Sequence, residues 1–462
     1  MKYFAVALFI LFVNPLISQH FYMKGRADEK PNARVRVITY ADQFSMLEKT
    51  VAETFTDATG RFSLEGEISE VTFGFLALDL EKSQLYLSPS ATYEIDIPYQ
   101  DTLNSGSVFD RLPLQFSIQV AGDQGLQDDI GLFNQLYNEF IYNNAQAVYR
   151  SRNKAVLDGF RTEIDERFAD RKSLYLKNYI HYAFVSLDWI GKRTKDHEVL
   201  KNEIVDKPIL NNNIQYTDFF KTFFDNYLKN FVNGNYNLVV DRINLGQDYK
   251  EVLALLQQDT LLASNQEVAE LVFTLLLSDM YYSADINKRS VIQKLKQLAR
   301  ASSFALVKNV ATHFVVRLTA LDYGYQAPEI NLKNLRGDLV DSDSFKGKFI
   351  LISWTTDNCQ KCVYDQGLIG RMLPSFNDSV NLLVLHAGID PKMVGEIAPN
   401  EKKHTQWVMV PDTSLLPEKY QIKTFPAYML INPDGTMAYQ YIPAPEEGME
   451  LYIRRFMTRY NK

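Results

Sequence analysis

Cysteine is almost missing from this chain: 462 residues contain two, Cys359 and Cys362, separated by Gln360 and Lys361. That excludes a disulfide-stapled framework, so stability has to come from packed cores and the cysteines are left for chemistry. A structural zinc site is disfavoured too. It needs four protein ligands, and the other two would have to come from His386, His404 or distant carboxylates at no recognisable spacing. Neither sign of charge forms a long run, and 49 basic against 56 acidic residues leave a formal charge of -7. Nucleic acid is thereby excluded as the main partner, and anionic membranes are not favoured. No GxGxxG, P-loop, HExxH or GxSxG pattern occurs, so nucleotide, metalloprotease and serine hydrolase chemistry have no support and no cofactor or metal is implied.

Long apolar runs are also lacking. The N-terminus, MKYFAVALFILFVNPLISQHFYMKG, has Lys2, an apolar run from Tyr3 to Val13, Pro15, then small or polar residues through Gln19. The run falls well short of the ~20 residues that a spanning helix needs. This is the pattern of a secretory signal peptide over residues 1–19. No cysteine follows it, so a lipoprotein anchor is not expected. The expectation is a protein of the periplasm or cell envelope with no stable membrane insertion after signal cleavage.

What is present falls into three parts. Residues 20–121 carry short β-branched and aromatic runs such as Val35 to Thr39 and Thr92 to Pro98, punctuated by Gly, Asp, Asn and Pro, and predict a small β-sandwich. Within it TFTDATGRFSL reads as a hairpin turning at Asp57-Ala58-Thr59-Gly60, with Gly60 supplying a positive φ. Residues 122–324 change to helical periodicity: Leu157, Phe160, Ile164 and Phe168 share one face, as do Val268, Leu271, Val272 and Leu275. Breaks are expected at Asp206-Lys207-Pro208 and at Asn233-Gly234-Asn235. The aromatic stretch Tyr216 to Tyr236 reads as core in preference to a peptide groove. The carboxylates of Asp165 to Asp170 read as a solvated helix face. From residue 325 strands alternate with helices, which predicts an α/β unit with a central sheet covered by helices on both faces. Its strands are expected at Lys348 to Trp354, Asn381 to Ala387, Gln406 to Val410 and Ala427 to Pro433, its helices from near Cys359, Pro391, Ser414 and Glu446, and a hairpin at Asn432-Pro433-Asp434-Gly435.

Cys359-Gln360-Lys361-Cys362 stands after a buried-looking strand and at the expected start of a helix. There the free N–H groups and helix dipole favour negative charge, which makes Cys359 the candidate nucleophile and Cys362, one turn on, the candidate resolving thiol. A purely structural disulfide would close too small a loop to stabilise much.

Two resemblances sharpen this. The TD-x-x-G-x-F core of the first part resembles the prealbumin-like domain related to the carboxypeptidase regulatory module. Residues 326–462 resemble the thioredoxin fold of the exported TlpA/ResA type, through APEINLKNLRGDLVDSDSFKGKFILISW, the CQKC that follows it, and Thr424-Phe425-Pro426 ahead of AYMLINPDG. The resemblance implies a thiol-disulfide oxidoreductase acting on cysteine-containing envelope proteins, served by a thiol electron donor. It also implies a cis proline at Pro426, whose backbone, with Phe425, meets the substrate. Three positions depart from the family: Asp357-Asn358 in place of an aromatic or Trp-Cys before the first cysteine, Ser353 in place of a buried carboxylate, and Gly367 in place of a helix-kinking proline. Asp357 is expected to oppose ionisation of Cys359. His386, His404 and Glu396 are read as structural or solvated residues. The competing class is a non-enzymatic envelope binding or scaffold protein with a vestigial or sensory CxxC.

Overall fold

The computed structural model describes residues 19–99, 113–150, 154–246, 248–334, 337–357, 359–388, 405–411 and 413–460. The expected signal peptide up to residue 18, and Asn358, Pro391, Glu396 and His404, lie outside them. The element order runs from strands through helices to a mixed α/β region.

Eight strands come first: β1 (Gln19–Ala27), β2 (Arg34–Tyr40), β3 (Glu48–Phe55), β4 (Arg61–Ile68), β5 (Thr72–Leu78), β6 (Glu81–Leu87), β7 (Thr92–Ile97) and β8 (Ser117–Ala121). They form two four-stranded sheets, ordered β4-β1-β7-β8 and β3-β2-β5-β6. Strict alternation drives this: Phe62, Leu64 and Ile68 of β4, and Tyr93, Ile95 and Ile97 of β7, are buried while their neighbours face out. The two sheets share one core with Val35, Val37 and Leu76.

The expected hairpin is corrected here. The turn forms, with the Asp57 N–H donating to Arg61 O at 2.8 Å and Gly60 at φ 77°. The strands it joins do not pair, however. β3 pairs with β2 and β4 with β1, so the turn is an arch between the two sheets. Ala27 N donates to Gly60 O, and a side chain at Gly60 would strike Ala27 O at 2.2 Å, so the end of β1 occupies the place a hairpin partner would need.

The helical middle packs onto this β region. Leu157, Phe160, Ile164 and Phe168 are buried in a core that includes Phe73 and Tyr86 from the second sheet. Tyr216, Phe219, Phe220, Phe223 and Phe224 are buried in a second core, which the Phe44 ring enters from the loop between β2 and β3, 5.3 Å from Phe220. The break after Val205 is present, and the next helix starts at Ile214 with Asn213 capping the Tyr216 N–H. The expected break at Asn233-Gly234-Asn235 is a kink instead, within one helix from Ile214 to Leu245. Asn235 leaves helical geometry there and its Nδ2 donates to Phe231 O at 3.0 Å, which bends the helix without ending it.

In the last part a short ribbon of β9 (Asn331–Lys333) and β10 (Leu339–Asp341) precedes a five-stranded sheet. That sheet comprises β11 (Phe349–Thr355), β12 (Val380–His386), β13 (Thr405–Met409), β14 (Ala427–Ile431) and β15 (Met437–Tyr439), ordered β13-β12-β11-β14-β15. The first three are parallel, while β14 and β15 run antiparallel. β11, FILISWT, is buried along its whole length, and its sequence is correspondingly apolar apart from Ser353 and Thr355. Phe349 and Leu351 face the helices Gln360–Met372 and Met449–Tyr460 through Ile369 and Ile453. Ile350, Ile352 and Trp354 face the opposite way, toward Leu321, Ile330, Val340 and the short helix Leu416–Lys419. Helices on both faces were expected; among the described residues, the second face is covered by the ribbon and that short helix, and the helix expected from near Pro391 lies outside the described residues.

This region is tied to the first. Arg36 on β2, 3% exposed, donates to both carboxylate oxygens of Glu418 at 2.9 and 3.0 Å and to Asp79 O at 2.8 Å. Arg34 Nε donates to Thr413 O at 2.9 Å. Both contacts reach the segment just upstream of Phe425 and Pro426.

Candidate active site

Cys359 is the N-cap of the helix Gln360–Met372, and its Sγ accepts the Cys362 backbone N–H at 3.1 Å. The two sulfurs form a disulfide of 2.04 Å with the Cα atoms 5.2 Å apart. Cys359 is half-buried, whereas Cys362 is 2% exposed. The pair is therefore asymmetric, with one sulfur reachable and the other covered. Once reduced, Cys359 has a backbone donor and a helix N-terminus to favour its thiolate. The helix continues through exposed Gly367 without a break.

Beneath the helix lies polar chemistry that the CxxC pattern does not announce. Ser353 is buried and accepts from Gln366 Nε2 at 2.6 Å. A buried carboxylate is nonetheless present, on the helix and not on the strand: Asp365 is fully buried and accepts from Tyr428 Oη and from Lys361 Nζ, each at 2.7 Å. Its spacing of three from Cys362 places both on the helix face toward the sheet. Lys361 also reaches Glu446 at 2.9 Å. Hydrogen bonds to Asp365 and then Glu446 hold the Lys361 ammonium above its ordinary range, while those from Lys361 and then Tyr364 hold the Glu446 carboxyl below its own. Burial, then the Asp365 carboxylate, pushes the Tyr428 phenol well up.

Asp357 was expected to place a negative charge near the thiol. Its Oδ1 pairs with Nε2 of His386 at 2.9 Å, and Nδ1 of that ring meets Thr355 Oγ1 at 3.0 Å. His386 is completely buried, in agreement with a structural reading, yet it sits at the end of β12 opposite Thr355, against the segment that leads to Cys359. Helical spacing could have flagged Asp365. His386 carries no local signal, because only strand register brings it there.

The Phe425-Pro426 peptide bond is cis. Ala427 pairs with Trp354, so the two residues before Ala427 lie at the end of β11 from which the chain leaves toward Cys359. Both are partly exposed there. Trp354 packs on Tyr420, whose Oη donates to Pro328 O at 2.7 Å, anchoring the floor below. Among the described residues, no cluster of three or more His, Cys, Asp or Glu side chains could hold a metal, and no helix is long and apolar enough to cross a membrane.

Strand order, the cysteine pair at the helix start and the cis proline ahead of β14 together define a thioredoxin fold. No protein-family model matches the chain, and no curated protein is similar to it. Among solved structures it is similar to the thioredoxin domain of a thiol-disulfide oxidoreductase from Bacteroides vulgatus, at 20% identity over 29% of this chain and 98% of that one, TM-score 0.27. It is similar also to a thiol:disulfide interchange protein from Bacteroides sp., at 22% identity over 29% and 89%, TM-score 0.25. A third is a thioredoxin-like protein from Aeropyrum pernix, at 16% identity over 28% and 89%, TM-score 0.25. These likenesses cover less than a third of the chain and bear on neither substrate nor activity.

Proposed function

We propose that the protein is an exported thiol-disulfide oxidoreductase of the periplasm or cell envelope, which reduces disulfides in cysteine-containing envelope proteins. The observation that supports this most is the asymmetry of the pair: a reachable Cys359 at a helix N-terminus, backed by a covered Cys362 one turn on. In the reaction the Cys359 thiolate attacks one substrate sulfur, forming a mixed disulfide and releasing the other substrate sulfur as a thiolate. Cys362, having lost its proton, then attacks Cys359 Sγ, and the second substrate sulfur leaves as a thiolate. The two electrons passed to the substrate leave Cys359–Cys362 oxidised, and a thiol electron donor must restore it. Phe425 and Pro426 would offer backbone to the substrate segment, with the β-sandwich and helical parts positioning larger partners.

The test is insulin reduction with dithiothreitol as donor, together with Cys362→Ser expressed in the envelope to trap mixed disulfides. Turnover and captured proteins that are released by reductant are expected. A Cys359 thiol no more reactive than a model peptide, combined with an empty trap, would remove the proposal. An equilibrium potential around -270 mV would support the reducing direction and one around -120 mV the oxidising one.

A further inference from the structure

We infer that His386 is a positioning residue for the cysteine pair: it binds the Asp357 carboxylate at the end of the sheet and holds that oxygen against its own ring, so that the carboxylate opposes a thiolate on Cys359 less than an unheld one would. The inference rests on the reading of Cys359 as the attacking thiol. Asp357 stands two residues before Cys359, in the segment that links β11 to the helix. A free carboxylate there would disfavour ionisation of the neighbouring thiol. In the structure its Oδ1 is held by His386 Nε2 at 2.9 Å, and the other ring nitrogen is held by Thr355 Oγ1 at 3.0 Å.

Both ring nitrogens are thereby engaged, Nε2 by the Asp357 carboxylate and Nδ1 by the Thr355 hydroxyl, so the buried ring is fixed in the orientation that holds Asp357. The other residue across from His386 is Met409 on β13, which brings no charge. On the helix side, Lys361 is engaged by Asp365 and Glu446, so it is not at hand to offset Asp357.

A second observation points to the same pair. A side chain at Gly388 would come within 2.4 Å of His386 Nε2 and 2.6 Å of Asp357 Oδ1, so the bare backbone of Gly388 lies directly over the contact. The linking segment is stitched to the end of β12 by Thr356 Oγ1 donating to Ala387 O and Ala387 N donating to Thr355 O, each at 2.8 Å. Asp357 is 24% exposed while His386 is buried, so the ring replaces much of the water that the carboxylate would otherwise bind.

The experiment measures the alkylation rate of Cys359 by iodoacetamide across pH 4 to 9 in the reduced full-length protein, with the modified residue quantified by mass spectrometry. His386→Leu should raise the ionisation midpoint of Cys359 by about one pH unit, roughly a tenfold slower alkylation below it. Adding Asp357→Asn to that variant should bring the rate back to within about threefold of the unsubstituted protein. An unmoved midpoint in His386→Leu, or a shift that persists after Asp357→Asn, would overturn the inference, since a ring that only supports folding cannot be rescued by removing a charge. If His386→Leu does not fold, His386→Gln with and without Asp357→Asn is read by the same criteria, with a smaller shift expected. Alkylation needs no disulfide substrate. A protein that titrates as described but reduces nothing would end the proposed activity and leave this inference standing.

Discussion

Glu418→Ala removes the partner of an arginine that has almost no access to water. The Arg36 guanidinium is 3% exposed and makes two short bonds to Glu418 and one to Asp79 O. Truncating one member of a fully buried ion pair costs about 3–5 kcal/mol, because the other charge is left desolvated. Glu418 itself is 34% exposed, so water can enter the vacated space, and we expect about 2–3 kcal/mol. The same cost should not follow from Arg36→Met combined with Glu418→Leu, which removes both charges; that double variant should recover at least half of the loss. The assay is urea unfolding followed by tryptophan fluorescence at constant pH, for both single variants and the double. Under the proposed activity, with Glu418 in the short helix ahead of Phe425 and Pro426, the single variant should also raise KM for a protein disulfide more than it lowers kcat. A loss below about 0.5 kcal/mol in Glu418→Ala, or a double variant less stable than either single one, would refute the view that this pair anchors the segment ahead of Phe425 and Pro426 to the β region.

Two further outcomes follow from particular residues. Gly60→Ala places a Cβ 2.2 Å from Ala27 O at a φ of 77°, so it should destabilise the arch by at least about 1–2 kcal/mol in urea unfolding; a neutral result would contradict the geometry. Glu446→Gln should lower the melting temperature at neutral pH and leave it unchanged in acid. The folded Glu446 carboxyl is held below its ordinary 4.5, so its contribution is present above that value and disappears as pH falls through the lower folded one. A gap between the two proteins that stays constant from pH 3 to 7 would contradict that assignment.

The α/β unit was largely legible as sequence, because its signals are local. A strand buried on both faces reads as the continuous run FILISWT, the cysteine spacing marks the start of a helix, and Asn432-Pro433-Asp434-Gly435 spells a tight turn, observed with Gly435 at φ 86°. The helical middle showed its buried faces for the same reason: Leu157, Phe160, Ile164 and Phe168 recur at the helical period and are all buried. Local signals misled where one residue had two outcomes. Asn235 could stop a helix or bend it, and Asp57 to Gly60 could turn a strand back on its neighbour or carry it to another sheet. The choice lay with Phe231 O in one case and Ala27 in the other, which are tertiary and backbone partners with no mark in the pattern.

What the sequence by itself determined, then, is most of the elements and the place of the cysteine pair at a helix N-terminus, since periodicity, turn residues and a helix start are all properties of neighbours along the chain. Only the tertiary structure decided what surrounds the pair. Ser353 leaves no carboxylate at its position on the strand, yet Asp365 supplies a buried one from the helix, paired with Tyr428 of β14. Asp357 suggested a charge against the thiol, yet strand register brings His386 from 29 residues away to hold it. Arg36 and Glu418 are 382 positions apart and meet in the interior. Electrostatic environment depends on distance through space, and a chain that folds over itself sets those distances by packing and register.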